Sequence, residues 1–223
     1  MSAPKLDILF LDEHLAAVDK PSGLLVHRGL GRDRVVAMTL LRDQIGRRVY
    51  PVHRLDRGTS GVLLFALSPA IAAALQTQFE SGVVRKRYLA LARGVPPADI
   101  TVDHPVPRSE GGERVPAVTR IRRLATAKLA IGPFSLVEAF PQTGRFHQIR
   151  RHLKHIGHPI VGDVNYGRGE INRFFREQFA LHRLALHASE ISFVHPVGGE
   201  KQIVKASTPE FMCLNGLFGG SVV

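Results

Sequence analysis

The chain has 223 residues, 44% of them hydrophobic and 22% charged, with one cysteine and 30 Lys plus Arg against 19 Asp plus Glu, a net charge of +11. That composition excludes wholesale disorder, and the lone Cys213 excludes an intramolecular disulfide and a four-cysteine zinc site, which fits a reducing compartment. The positive excess favours a polyanionic partner, nucleic acid before membrane, over the plainer reading of a merely basic soluble protein.

The chain opens on two apolar runs, Leu6 to Leu11 and Leu15 to Val18, around a turn-like Asp12-Glu13-His14, which predicts a β-hairpin. Asp7, Asp12, Glu13 and Lys20 interrupt the start, so no secretory signal is read there and a cytoplasmic protein is expected. Lys20 to Gly23 reads as a loop, Leu24 to Val26 as a short strand and Arg28 to Arg34 as an exposed basic loop. Val35 to Ile45 carries helical periodicity. The uncharged run from Gly58 to Phe79 is long enough for a membrane span, but Ser68-Pro69 splits it into a buried strand and a capped helix. The helix turns Ile71, Leu75 and Phe79 to one face and ends at Gly82.

Val83 to Ala92 predicts a strand with a basic outer face, and Gly94 to Gly112, with four prolines, a long connection. Val115 to Leu124 and Phe134 to Phe140 read as strands. Helices are expected over Arg145 to Ile156 and Arg173 to Phe179. Leu184 to Val194 and Gln202 to Ala206 flank a hairpin signal at Pro196 to Gly199. The class is α+β with a mainly antiparallel sheet, arranged as a single domain over residues 1–223.

The densest chemistry lies in His53-Arg-Leu-Asp-Arg-Gly-Thr-Ser-Gly61. If the backbone is extended there, Arg54 and Asp56 share a face. The flanking guanidinium groups favour an ionised Asp56, which would then serve as nucleophile or base; a surface ion pair in a turn explains the same residues. A second cluster runs from Pro141 to Gly162 without an acidic residue. Its helix would place Arg151 and Lys154 with His147 on one face, and Arg150 also with Lys154. So positive a helix needs phosphates or a buried aspartate to neutralise it, or is a solvated basic face. His152, His155 and His158 lack the spacing of a zinc site, and no metal is expected. On the strand around Arg85 to Tyr88, Lys86 and Tyr88 share a face suited to a base and its phosphate, or else Tyr88 is a core tyrosine. No phosphate-binding loop or dinucleotide fingerprint is present, so no cofactor is expected.

Together these segments resemble the RluA-type family of RNA pseudouridine synthases. The resemblance is carried by His53 to Gly61, Lys20-Pro-Ser-Gly23, Lys86-Arg-Tyr88, Ala117-Val-Thr119, Thr143 to Arg150, His158 to Asp163 and Leu186-His-Ala188. It implies a mixed α+β catalytic domain, here with no N-terminal S4-type RNA-binding domain, because the strand pattern starts by about residue 6. It assigns Asp56 as the catalytic aspartate, Tyr88 as the residue that stacks on the target base, and Arg145 as the partner that orients Asp56. Arg54 would help displace or replace a flipped base, and Ile149 and Leu186 would line its pocket. Arg57, Lys86, Arg150, Arg151 and Lys154 are the expected RNA contacts. Asp43 to Gly46 and Ile171 to Arg173 resemble a single-domain subgroup acting on the T-stem side of tRNA. RNA is thus the expected partner, tRNA before ribosomal RNA, for a monomer that touches no membrane.

Overall fold

A computed structural model of the chain describes residues 4–28, 35–214 and 218. In chain order the elements are β1 (Asp7–Leu11), β2 (Leu15–Lys20), α1 (Ala37–Ile45), β3 (Tyr50–Pro51), β4 (Ser60–Ala66), α2 (Pro69–Glu80), β5 (Arg85–Arg93), β6 (Asp99–Asp103), β7 (Val106–Pro107), β8 (Arg114–Val115), β9 (Val118–Leu129), β10 (Gly132–Pro141), α3 (Gln148–His155), α4 (Gly169–Phe179), β11 (Leu186–Val194) and β12 (Lys201–Lys205), with a short 3₁₀ turn at Glu210–Met212. This is the expected α+β class, and every strand pairing described is antiparallel. The chain divides into two compact units, one running through Lys86 and including Ala188–Ser207, the other made of Arg87–His187 and the chain from Thr208.

In the first unit β1 and β2 form the expected hairpin. Its turn is closed by Asp12, whose Oδ1 accepts the backbone N–H of His14 at 2.7 Å and of Leu15 at 2.8 Å. β4 pairs with β2 from Leu15↔Ala66 to Lys20↔Gly61 and is buried along its whole length, as its unbroken apolar sequence requires. α2 starts where Ser68 caps it, with the Ser68 hydroxyl accepting from Ile71 N and Pro69 in the first turn. Leu75 and Ala72 face the core of Leu15, Val62, Leu64 and Phe193. The helix before it is shorter than its sequence suggests, starting at Ala37. Leu24 to Val26 forms no strand: the carbonyls of Leu25 and Val26 accept the N–H groups of Ala37 and Met38 instead, so they serve the start of α1. Of the basic loop read over Arg28 to Arg34, residues 29–34 lie outside the described chain.

Gly61 sits at φ +107°, and a Cβ added there would fall 2.2 Å from the carbonyl oxygen of Ala188 in β11. Gly82, at φ +71°, has nothing within 4 Å of such a carbon. Gly82→Ala is expected to cost about 1 kcal/mol for the left-handed backbone alone. Gly61→Ala adds a backbone overlap and should cost at least about 2 kcal/mol, lowering the melting temperature by about 4–8 °C. Thermal denaturation of the two variants checks this, and equal losses would contradict the clash.

In the second unit the strand order is β5-β10-β9-β6. The segment Gly94 to Gly112, expected as a plain connection, instead holds β6 and β7. β6 pairs residue for residue with β9, from Asp99↔Arg122 to Asp103↔Val118. The prolines that suggested a loop frame a short edge strand, where proline is tolerated. The core beneath is Leu91, Phe134, Leu136, Leu153, Phe175 and Leu181, with the Phe134 and Phe175 rings edge to face at 4.9 Å. Buried Glu138 on β10 is neutralised from the neighbouring strands by Arg87 and by Arg122, whose Nε donates at 2.7 Å. α4 begins at Gly169, four residues before its expected start. α3 begins only at Gln148, so Arg145, Phe146 and His147 precede the helix instead of sharing its face.

Candidate active site

The segment carrying Asp56 is an irregular stretch fastened at both ends. Leu55 is buried, Arg54 and Arg57 are exposed and Asp56 is half-buried, and no strand forms here: the chain is irregular through Asp56 and turns at Arg57. The N–H of Thr59 donates to the Asp56 carbonyl at 3.0 Å and closes the turn. Four contacts then tie this turn to Lys20-Pro-Ser-Gly23. Ser22 Oγ donates to the Gly58 carbonyl at 2.7 Å, Gly23 N to the Arg57 carbonyl at 2.8 Å, and Arg57 Nε to the Gly23 carbonyl at 3.0 Å. The ammonium of Lys20, fully buried, donates to the carbonyls of Pro21, Leu24 and Arg57 at 2.9, 2.8 and 3.3 Å. Sequence reasoning saw Lys20 to Gly23 as a loop with a family likeness and gave it no task. The structure makes it the clamp that fixes the Asp56 turn, and a lysine flanking a Pro-Ser-Gly turn was the available signal.

His53 stands just before this turn. Its Nε2 accepts the Leu64 N–H at 3.0 Å, so its proton sits on Nδ1, and its ring stacks on Phe79 at 5.1 Å. Burial, reinforced by the charge of Lys86, pushes its pKa down to about 3. Burial also pushes Lys86 down to about 8. The folded His53 holds fewer protons than the unfolded chain between pH 6.5 and about 3, so stability falls with acid across that window. Lys86 acts in the same direction at the alkaline end: stability rises with pH from about 8 to 10.5 as the folded ammonium gives up its proton first. A titration by nuclear magnetic resonance should find His53 neutral at pH 5 and Lys86 titrating below the other lysines. A His53 midpoint near 6.5 would contradict this environment.

In the second unit Tyr88 lies on β5 opposite Ala139, half-buried and packed against the core. Arg145 is exposed in the turn before α3. That turn is shaped by buried Gln148. Its Oε1 accepts from Thr143 Oγ1 at 2.6 Å and from Arg145 N at 3.0 Å, while its Nε2 donates to the Val118 carbonyl at 3.0 Å and to Thr119 Oγ1 at 2.9 Å. A glutamine with four hydrogen bonds in the interior is a template for the backbone that presents Arg145, and sequence reasoning passed over it. Ile149 and Leu186 are both core residues of this unit.

The basic helix divides its charge between two environments. Arg150, expected to contact RNA, is buried and forms a two-pronged ion pair with buried Asp163, Nε to Oδ2 at 2.7 Å and Nη2 to Oδ1 at 2.8 Å. The same carboxylate accepts the N–H groups of Asn165 and Tyr166 at 2.9 and 3.1 Å. Burial alone would raise the Asp163 pKa, but the Arg150 hydrogen bond and charge outweigh it and hold the group below the usual carboxylate value. Arg150 is thus the case of neutralisation by a buried aspartate, and its guanidinium is turned inward. Arg151 is half-buried and Lys154 exposed. The three histidines of this stretch are taken up by protein contacts: His152 meets Thr119 Oγ1 and the His104 carbonyl, His155 stacks on the ring of the same His104 at 3.7 Å, and His158 meets the Arg93 carbonyl.

The segments that carry these residues match a known family. The sequence pattern described as RNA pseudouridylate synthase covers residues 14–155. The chain is 46% identical over 222 residues to tRNA pseudouridine synthase C of Pectobacterium carotovorum, covering 90% of this chain and 58% of that longer protein. It is 42% identical over 226 residues to tRNA pseudouridine synthase C of Vibrio parahaemolyticus, covering 93% and 92% of the two chains. Among solved structures, Human RNA Pseudouridylate Synthase Domain Containing 1 superposes with a TM-score of 0.78 at 27% identity, over 98% of this chain and 91% of that one.

Proposed function

The chain belongs to the RNA pseudouridylate synthase family, isomerases that convert uridine in RNA to pseudouridine, and we propose that its RNA is tRNA and its catalytic carboxylate Asp56. The observation that carries the substrate is the likeness, over nine-tenths of the chain, to proteins named tRNA pseudouridine synthase C. The observation that supports the carboxylate is the clamped turn, which presents a half-buried Asp56 beside two arginines in a segment with the family's signature.

The reaction breaks the C1′–N1 bond, turns the detached uracil and joins C5 to C1′; C5 loses its proton and N1 gains one. No electrons are exchanged with a partner and no water is added, so the chemistry calls on side chains alone. A carboxylate near C1′ either attacks that carbon or removes a sugar proton. The target base must leave its stack first, at a cost of a few kcal/mol that phosphate contacts from a basic surface offset. Tyr88 and Arg145 serve the same reaction in the roles the family likeness gives them, with Arg54 replacing the flipped base and Arg57, Lys86 and Lys154 on the RNA backbone. The modified uridine lies on the T-stem side of tRNA, and the enzyme works as a cytoplasmic monomer.

The test is position mapping. Purified protein is incubated with unmodified tRNA and ribosomal RNA transcripts, and carbodiimide adducts are located by reverse-transcription stops. A single new stop on the T-stem side of tRNA is expected. A stop in ribosomal RNA alone would overturn the tRNA assignment.

A further inference from the structure

We propose that Arg151, held against the rings of Phe146 and Tyr166, is a built binding site for an RNA backbone phosphate, and that Tyr166 is the residue that positions it. The inference rests on the reading of the chain as an RNA-modifying enzyme and assigns it a specific phosphate contact outside its catalytic residues.

Arg150 and Arg151 are neighbours of the same type that both lie over the Tyr166 ring, each guanidinium carbon 5.1 Å from its centroid, but they differ in charge partner. The fold gives Arg150 a dedicated buried carboxylate. Arg151 has no ion-pair partner among the described residues, and its Nε is buried without a hydrogen-bond partner. What holds it is aromatic. Its guanidinium carbon lies 5.1 Å from the Tyr166 ring centroid and 5.6 Å from that of Phe146. Ring faces attract the cation but accept none of its in-plane N–H groups, so a guanidinium held this way keeps its donors for an anion in the same plane. A phosphate oxygen pair fits that fork.

The rings are themselves held in place. Asp163 fixes the backbone of Tyr166 through its N–H, and the Gly167 N–H returns to the Asp163 carbonyl at 3.0 Å, so Tyr166 stands on a tight turn. Its hydroxyl meets His147 Nδ1 at 3.0 Å, and His147 stacks on Phe146 at 3.8 Å. His147 adopts φ +53°, a left-handed conformation disfavoured for a non-glycine residue. The surrounding contacts maintain that strain, as they do where geometry serves a ligand. No acidic residue occurs from Pro141 through Gly162, the nearby Asp163 carboxylate is neutralised by Arg150, exposed Lys154 stands on the same helix, and the net charge of +11 adds to the attraction of an anion.

The experiment measures affinity for tRNA between about 50 and 200 mM salt, with the full chain and four variants. Arg151→Gln should weaken binding about tenfold at low salt and reduce the slope of log affinity against log salt by about one phosphate. Tyr166→Leu should do the same. Tyr166→Phe keeps the ring and should retain the wild-type slope. The double variant Arg151→Gln/Tyr166→Leu should bind no more weakly than Arg151→Gln, because Tyr166 acts through Arg151. An unchanged slope in Arg151→Gln overturns the site, and this holds even if Tyr166→Leu fails to fold, since Arg151 is half-buried and makes no ion pair among the described residues. Multiplying losses in the double variant, or Tyr166→Phe falling to the level of Tyr166→Leu, overturns the positioning role. A wild-type protein that forms pseudouridine while Arg151→Gln binds normally sinks this proposal alone; a wild-type protein that neither binds nor modifies RNA sinks the reading beneath it.

Discussion

Replacing Asp56 by Asn is expected to lower turnover by about four orders of magnitude or more, the scale lost when a reacting group is removed. Asparagine has nearly the size of aspartate, and the Asp56 backbone carbonyl, which closes the turn by accepting the Thr59 N–H, is unchanged by the substitution. The clamp from Lys20, Ser22 and Arg57 also acts on backbone atoms, so the substitution leaves the segment in place. What disappears is the negative charge. A neutral amide neither bonds to C1′ nor takes a sugar proton, and a 10⁴-fold loss corresponds to about 5.5 kcal/mol of barrier. Single-turnover release of tritium from C5-labelled uridine in tRNA reads this step directly. Affinity for the RNA should change by no more than about twofold, because the phosphate contacts supply most of it. A variant that turns over like the wild type would remove Asp56 from the mechanism.

Asp163→Ala should be the most destabilising of the charge deletions, by about 3–5 kcal/mol. Both partners of the Arg150–Asp163 pair are buried, and the aspartate also holds two backbone N–H groups. Removing the carboxylate leaves a guanidinium in the interior with its compensating charge gone. For a chain of this size that corresponds to a fall in melting temperature of about 6–20 °C. The pair Arg120–Asp99, exposed on both sides, is the control: its deletion should cost less than about 1 kcal/mol. Arg150→Met combined with Asp163→Leu should recover much of the loss, since replacing both charges leaves none uncompensated. The folded Asp163 carboxyl titrates below its unfolded value, so this stability is present above about pH 4 and is lost as the pH falls. Equal losses for the buried and exposed pairs would contradict the assignment.

The two arginines of α3 also mark where sequence stops being informative. Arg150 and Arg151 are indistinguishable by type and neighbourhood, and helical periodicity offered both to RNA. The aspartate that separates them lies thirteen residues beyond Arg150, past a proline and two glycines, and its reach depends on tertiary packing. Lys20 has the same history. A lysine before Pro-Ser-Gly reads as an exposed loop residue, yet three carbonyls converge to bury its ammonium. β6 was hidden because its prolines lie just outside the strand and an edge strand needs only one partner. By contrast β4 and α2 were plain. An unbroken apolar run and a Ser-Pro start are local signals, and the structure places both within about two residues of their expected bounds. The signature from His53 to Gly61 was legible for a related reason: its glycines, hydroxyls and charges are packed into nine consecutive residues, so no distant partner was needed to notice them. Which contacts fix that segment was not legible, because they come from Lys20 to Gly23, more than thirty residues away.

The most direct test of the central claim is nucleoside analysis of tRNA after incubation with the purified protein. If the chain isomerises uridine, pseudouridine appears in step with the loss of uridine, the RNA keeps every base, and the Asp56→Asn protein produces none. Free uracil with abasic sites in the RNA would show a hydrolase instead of an isomerase, and an unchanged nucleoside profile would contradict the enzymatic reading itself.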